Sequence, residues 1–340
     1  MSKSAAKLID VARLAGVCNA TVSRALAREP RVSAATQARV EAAARELGYL
    51  PHGAASALRG QRTRTIGAIL PTLDNMIYAK ATHALQRALD ASGYLLLLGI
   101  HDFDLRYEVK VARSLLERGV DGIVLIGAEH DEELFKLFDD LALPYVLTWS
   151  LDASGRHRCV GFDNRVAAAR VANYLVDIGH RDFAMIHGVI AGNDRARERL
   201  AGVRAALAAR ALQLAAPNVI EAPYTVAAGR AAMAGLLASA TLPTAVICGN
   251  DVLAMGAVLE CQARSIAVPE TLSITGFDDM EAASILMPAL TTMHVPMREM
   301  GCTAAQRILA HIDGNPAVQA TELAVDLIVR GTTAPPASRA

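Results

Sequence analysis

Within six consecutive positions of this 340-residue sequence stand Asn19, Ala20, Thr21, Ser23 and Arg24. Short hydroxyls such as Thr21 and Ser23 suit phosphate oxygens, and the planar fork of Arg24 suits the edge of a guanine. Asn19, Ala20 and Arg24 offer an amide, a methyl and a guanidinium to base edges, so the segment has the chemistry to read a DNA duplex. That chemistry needs a helix whose N-terminal end is exposed. Leu8, Val11, Ala12 and Ala15 recur at i, i+3, i+4 and i+7, which gives a first helix one apolar face. Gly16 tolerates a left-handed turn, Val17 fills the corner, and Val22, Ala25 and Leu26 form the inner face of a second helix. A third helix is expected to open with Ser33 as N-cap, to bury Val40, Ala44 and Leu47, and to stop at Gly48-Tyr49 before Pro51. Ser33 and Thr36 join the candidate DNA contacts. The plainer alternative is a helical hairpin without a nucleic-acid role.

Charge favours the DNA reading. Residues 1–64 hold eleven Lys and Arg against four acids, a net of +7, and the whole chain is neutral, so the remainder carries −7. A basic head on an acidic body points to a polyanion bound at one end. With 53% hydrophobic and 20% charged residues, the composition is that of a soluble globular chain with room for two or three domains. No apolar run approaches the ~18–20 residues of a membrane span, and the N-terminus lacks a signal-peptide core, so a cytoplasmic location is expected. The five cysteines (18, 159, 248, 261, 302) show no CxxC spacing and are read as free thiols, and the nine histidines are scattered, so no metal site is expected.

The runs DVARLAGV, ATVSRAL, VSAAT and RVEAAARELGY, followed by Pro51, SALR and RTRTIG, resemble the lactose/galactose-repressor (LacI/GalR) family of bacterial transcription regulators. The resemblance covers nearly the whole chain and is most specific over the first sixty residues. It implies a homodimer that places two recognition helices in successive major grooves of a pseudopalindromic operator. It also implies that residues 51–64 form a hinge helix on DNA, with Leu58 wedged into the minor groove and Ala55 allowing close approach of the paired hinges. Cys18 stands where a serine is commonest, so Asn19 is the expected replacement for the cap, and His52 and Ser56 replace the usual Asn and Arg.

From Thr65 short apolar strands alternate with helices: strands are expected at 66–70, 94–98, 122–126, 144–148, 183–187, 245–248 and 272–276, with helices between. The expected fold class is therefore α/β: an all-α helix-turn-helix domain (1–50), a linker (51–64) and a core of two parallel-sheet subdomains (65–332), with a short tail (333–340). The resemblance to periplasmic sugar-binding proteins implies one subdomain at about 65–162 plus 293–321 and another at about 163–290 plus 322–332. Ligands of open parallel sheets bind beyond the carboxyl ends of the strands. Aligned on the family, that site would comprise Pro71, Asn75, Ile77, Trp149, Phe162, Arg199, Tyr224, Asn250, Asp278, Val295 and Met297, with Arg199 as the candidate grip on a hydroxyl or carboxylate.

Quieter readings stand beside these. Asp163, Asn164 and Asp251 are caps of the following helices or ligand contacts, Trp149 is core or cleft, and Arg199 holds ligand or an acid such as Glu198. Asp279 is read as a support for Asp278. Asp104, Glu108, Asp131, Glu132 and Glu133 are read as a solvated helix face. No GxSxG, GK[ST] loop, HExxH or GxGxxG appears, which speaks against an enzyme. The alternatives are a sugar-converting enzyme or a sugar-binding protein of similar core, both of which leave the basic head unexplained. NMIYA, VGFDN and LECQARSIAVPE look most like the gluconate-repressor branch, so a sugar acid is the expected effector, followed by a neutral pentose or hexose and then by a purine or amino-acid-like compound, with no other cofactor.

Overall fold

The computed structural model describes residues 6–26, 31–49, 62–239, 242–315 and 319–337. Ala55 and Leu58, with Pro51, His52 and Ser56, lie outside the described residues. The chain forms two compact units, Met1–Thr63 and Arg64–Ala340.

In the first unit α1 (Leu8–Ala15), α2 (Asn19–Leu26) and α3 (Ala34–Leu47) enclose Val11, Ala12, Ala15, Val22, Ala25, Val40, Ala43 and Ala44. Gly16 ends α1 with φ 64°, the left-handed turn its position requires. Ser33 caps α3 by accepting from the Thr36 amide at 3.3 Å. Two expectations are corrected. Cys18, not Asn19, precedes α2: its carbonyl accepts from the Thr21 and Val22 amides, and its Sγ lies 3.2 Å from Thr21 Oγ1. Asn19 is already the first helical residue. Leu47 is 37% exposed, and Ala43 takes its place inside. The partner helices are eight residues long, about 12 Å, so the far end of α3 overshoots the core.

The second unit begins with β1 (Thr65–Leu70), α4 (Met76–Asp90), β2 (Leu95–Ile100), α5 (Leu105–Glu117), β3 (Gly122–Ile126), α6 (Glu132–Asp140), β4 (Tyr145–Thr148) and β5 (Cys159–Gly161). It continues with α7 (Asn164–Asp177), β6 (Phe183–His187), α8 (Asp194–Ala209), β7 (Val219–Glu221), α9 (Val226–Leu237), β8 (Ala245–Cys248), α10 (Asp251–Ala263), β9 (Ser273–Asp278), α11 (Glu281–Ile285) and β10 (Thr291–His294). Finally α12 (Met297–Ile312), β11 (Ala320–Glu322) and β12 (Asp326–Ile328) follow. One sheet has the order β11-β5-β4-β3-β1-β2 and the other β12-β10-β9-β8-β6-β7. Every pairing is parallel except β10 with β12. Central strands such as β3 are buried throughout, as sheets covered on both faces require.

The chain passes between sheets after β5, β10 and β11. The expected return to the first sheet at 293 comes later: Thr291–His294 pairs with β9 in the second sheet, and Glu322 still pairs in the first. β7 was not expected; three residues carry too little periodicity to be read.

One helix crossing positions the site. A Cβ at Gly202 of α8 would overlap the Arg165 carbonyl oxygen of α7, so only glycine permits this approach. Arg199 lies one turn before Gly202, and Asn164 opens α7. Gly202→Ala is expected to lower unfolding free energy by ~1–3 kcal/mol, the usual cost of overpacking. Urea denaturation checks this, and an unchanged midpoint would contradict the crossing.

Candidate functional site

The strand ends of the two sheets converge on a small polar cleft lined by Asn75, Ile77, Tyr78, Trp149, Asn193, Arg195, Arg199, Tyr224, Asn250 and Asp278. Asn75, Trp149, Asn250 and Asp278 are among the strand-end residues singled out in the sequence, and Ile77, Arg199 and Tyr224 are expected from the family alignment. Tyr78, Asn193 and Arg195 were not singled out. Tyr78 simply follows Ile77, and Asn193 is the N-cap signal of α8. The other expected residues are packed behind the cavity. Pro71 is buried at the end of β1, Phe162 stacks against Phe277 at 6.1 Å, and Val295 and Met297 join the apolar core.

Arg199 is the hub of the far wall. It is 5% exposed; its Nε donates to Asn164 Oδ1 at 2.9 Å and its Nη1 to the Gly249 carbonyl at 2.8 Å. Its guanidinium carbon sits 3.6 Å over the Phe277 ring, with Asp278 Oδ1 at 3.8 Å. Asn164 in turn donates to the Trp149 carbonyl at 2.8 Å, so it is a bracket for Arg199 rather than a cap. Glu198 pairs with Arg165 instead. Asp163 caps α7, and Asn75 and Asn250 cap α4 and α10.

Polar demand remains open in the cavity. Both Asp278 carboxylate oxygens and Asn250 Nδ2 are buried with no hydrogen-bond partner. Burial pushes Asp278 up to about 8, against the pull of Arg199. Asp251 lies behind it, accepting from the Met280 amide and the Thr292 hydroxyl, and burial pushes it up to about 7. The reading of Asp279 as support for Asp278 is corrected: its carboxylate turns to His294 and Arg330, at 2.9 and 2.8 Å.

Across the cleft, Asp194 of α8 accepts from the Ala128 amide at 3.0 Å, Ser150 Oγ at 2.6 Å and Arg195 Nη1 at 2.7 Å. Its carboxyl is held low despite burial, chiefly by Arg195 and Ser150. Arg195 Nη1 also donates to the Ile126 carbonyl, and Arg197 pairs with Glu129. These bonds tie the second subdomain to the strand ends of the first.

Glu108 overturns the solvated-face expectation. It is fully buried, and both of its oxygens lie about 3 Å from His130 Nδ1. The α5 surface is covered there by the loop that carries His130, whose Nε2 meets the Gly127 carbonyl. Asp104 and Asp131 cap α5 and α6, and Glu133 pairs with Arg113. Among the described residues no grouping of His, Cys, Asp and Glu fits a metal ion.

In the first unit Asn19 and Ala20 are exposed at the start of α2 and Arg24 in its last turn, and Thr21 and Ser23 are half-buried. Ser33 is exposed, its hydroxyl 2.9 Å from that of Thr36.

An outward-facing helix of a three-helix head, with a two-sheet body enclosing a polar cavity, defines a DNA-binding transcriptional regulator that carries a small-molecule site. The chain belongs to the lacI family of bacterial regulatory proteins, whose model matches residues 7–52, while a periplasmic binding protein-like domain matches 172–333. It is 32% identical to the HTH-type transcriptional repressor PurR of Vibrio campbellii over 96% of this chain and 98% of that one. It is also 32% identical to the HTH-type transcriptional repressor CytR of Escherichia coli K12, covering 97% of each. The lac repressor dimer bound to operator and the anti-inducer ONPF superposes with a TM-score of 0.87 at 27% identity, over 97% of this chain and 100% of that one. The transcription regulator GntR from Chromobacterium violaceum gives 0.76 at 32% identity, over 79% and 99%. These relatives are regulators rather than enzymes. Among the described residues no helix is long and apolar enough to cross a membrane.

A carboxyl whose folded pKa is raised keeps a proton that the unfolded chain has lost, so it costs stability as pH rises from the unfolded value towards the folded one. Asp278, raised to about 8, therefore makes the ligand-free protein less stable from pH 5 to 8. The slope reaches at most about 1.4 kcal/mol per pH unit. Asp278→Asn is expected to flatten that decline in denaturation curves, and parallel pH profiles would contradict the assignment.

Proposed function

We propose that the chain is a repressor that binds a pseudopalindromic operator as a homodimer and responds to a sugar acid. The observation that carries the effector reading is the unsatisfied set in the cavity: the two carboxyl oxygens of Asp278 and the Nδ2 of Asn250. Buried polar atoms without partners are costly, and a polyhydroxylated ligand supplies hydroxyls that donate to one and accept from the other. Pocket charge favours the acid over the neutral sugar. Arg195 and Arg199 both line the cleft, and burial raises Asp278, so an anionic group meets two guanidinium groups there.

The exposed face of α2 supports DNA reading by Asn19, Ala20 and Arg24, with Thr21, Ser23, Ser33 and Thr36 near the phosphates. Placement of Leu58 in the minor groove, and pairing of two copies, belong to the same proposal. The pairing is supported by the lac repressor dimer bound to operator, and the Leu58 placement by the family resemblance of the linker.

Three measurements test the reading. Titration of the protein on the DNA upstream of its own gene, with aldonic acids and sugars present in turn, is expected to give saturable binding that one sugar acid shifts. Binding that no compound shifts counts against an effector of this class. Arg24→Ala is expected to reduce discrimination between operator and random DNA by ~1–3 kcal/mol, and unchanged discrimination removes its base-reading role. Calorimetry from pH 7 to 9 separates the effector classes: affinity for an anion falls as Asp278 ionises, whereas a neutral sugar binds more tightly to the ionised acceptor. A rising affinity would favour the neutral sugar.

A further inference from the structure

The groups that line the cleft are sealed inside the chain. Asn75, Trp149, Arg199, Asn250 and Asp278 are each at most 5% exposed, so a ligand reaches them only when the two sheets part at the rim. At the three crossovers Phe162, Val295 and Leu323 lie in the apolar cluster common to both sheets, which keeps the sheets joined there. The rim is held instead by polar contacts on one short segment, residues 126–130 at the end of β3. We infer that this segment and α8 form a latch on the cleft, and that the buried Glu108–His130 pair positions it.

Successive residues of the segment are gripped from α8. The Ile126 carbonyl accepts from Arg195 Nη1 at 3.2 Å, the Ala128 amide donates to Asp194 at 3.0 Å, and Glu129 accepts from Arg197 at 2.6 Å. Ser150, which follows Trp149, donates to the same Asp194 carboxylate at 2.6 Å. Gly127 permits the grip, because a Cβ there would overlap Arg195 Nη1. On the other side His130 is the anchor. Its Nδ1 lies 3.0 and 2.9 Å from the two Glu108 oxygens, and its Nε2 lies 3.1 Å from the Gly127 carbonyl. An oxygen acceptor faces each ring nitrogen, so the imidazole donates at both ends and ties the segment to α5. Glu108 is fully buried. Apolar side chains of similar volume cover a helix at least as stably as a buried ion pair, so packing alone does not call for these two residues. What the pair adds is a fixed direction for the Gly127 carbonyl, and with it the aim of the neighbouring Ala128 amide at Asp194. Every one of these bonds lies within the chain, so the latch holds whatever the effector is.

Trp149 is the single tryptophan of the chain and lines the cleft, so acrylamide quenching of its fluorescence reads opening in the full chain with no effector added. Asp194→Asn and Ser150→Ala are each expected to raise the open-to-closed ratio by about 10- to 150-fold, as for a hydrogen bond lost from a charged group, and so to make Trp149 more quenchable. Glu108→Gln is expected to act in the same direction, although the hydrogen bonds of Glu108 stay within the first subdomain. Combined with Asp194→Asn it should add little to that variant alone, because the pair acts through the latch. Urea midpoints and circular dichroism establish that each variant is folded, and His130→Gln repeats the test where Glu108→Gln is not. Wild-type quenching in folded Asp194→Asn or Ser150→Ala overturns the latch. Wild-type quenching in Glu108→Gln, or an effect that adds in full to Asp194→Asn, overturns the positioning role. The sugar-acid reading is tested separately by the operator titration and stands or falls on its own.

Discussion

A carboxyl group buried without a hydrogen-bond partner is the constraint around which this cleft is arranged. Asp278 ends β9 in a left-handed conformation (φ 116°), fully buried, with Arg199 near enough to sense it but not to satisfy it. Leaving such a group unmet costs on the order of 1–3 kcal/mol, so the ligand-free cavity is poised to gain what an incoming hydroxyl returns. The neighbouring orphan, Asn250 Nδ2, asks for an acceptor at the same place. The remainder of the body serves to keep these groups aimed: Asn164 fixes Arg199, Trp149 fixes Asn164, and the Gly202 crossing holds α7 against α8.

The second feature is closure. Asp194 gathers donors from Ala128, Ser150 and Arg195, so one side chain of α8 knits both sheets at the cavity rim. Gly192 approaches the Phe103 carbonyl at the same rim, where a Cβ would stand 2.6 Å from that oxygen. Polar contacts of this kind break and reform at modest cost compared with an apolar interface. An apolar cluster also joins the two sheets, from Ile66 and Val124 to Phe277 and Met293, so a ligand that bridges the rim adds to contacts already in place.

Much of this was legible from residue order. The period of 3.6 in Leu8, Val11, Ala12 and Ala15 and the alternation of apolar strands with helices are local signals, and the elements formed where they predict. Strand-end Asn, Asp and Trp residues likewise announced the cavity. What failed to show was three-dimensional in origin. Glu108 sits among charged neighbours on a helix, and only the fold reveals that the His130 loop covers it. Asn164 carries both amide bonds to residues far along the chain, and Asp279 points away from Asp278 because His294 and Arg330 wait on β10 and beyond. Arg195 was hidden in a run of arginines, DRARER, where spacing gives no sign of which one turns inward. Leu47 continues the apolar period of α3 but outlasts its partners.

The account joins a DNA-reading head to a ligand-reading body, and thermodynamic linkage makes that junction measurable in both directions. The direct test is to measure the dissociation constant of the selected operator with and without saturating effector, and that of the effector with and without saturating operator. Coupling of ~1–3 kcal/mol predicts that both constants change by the same factor, about 5- to 150-fold. An effector that occupies the cleft while operator affinity stays constant would contradict the account.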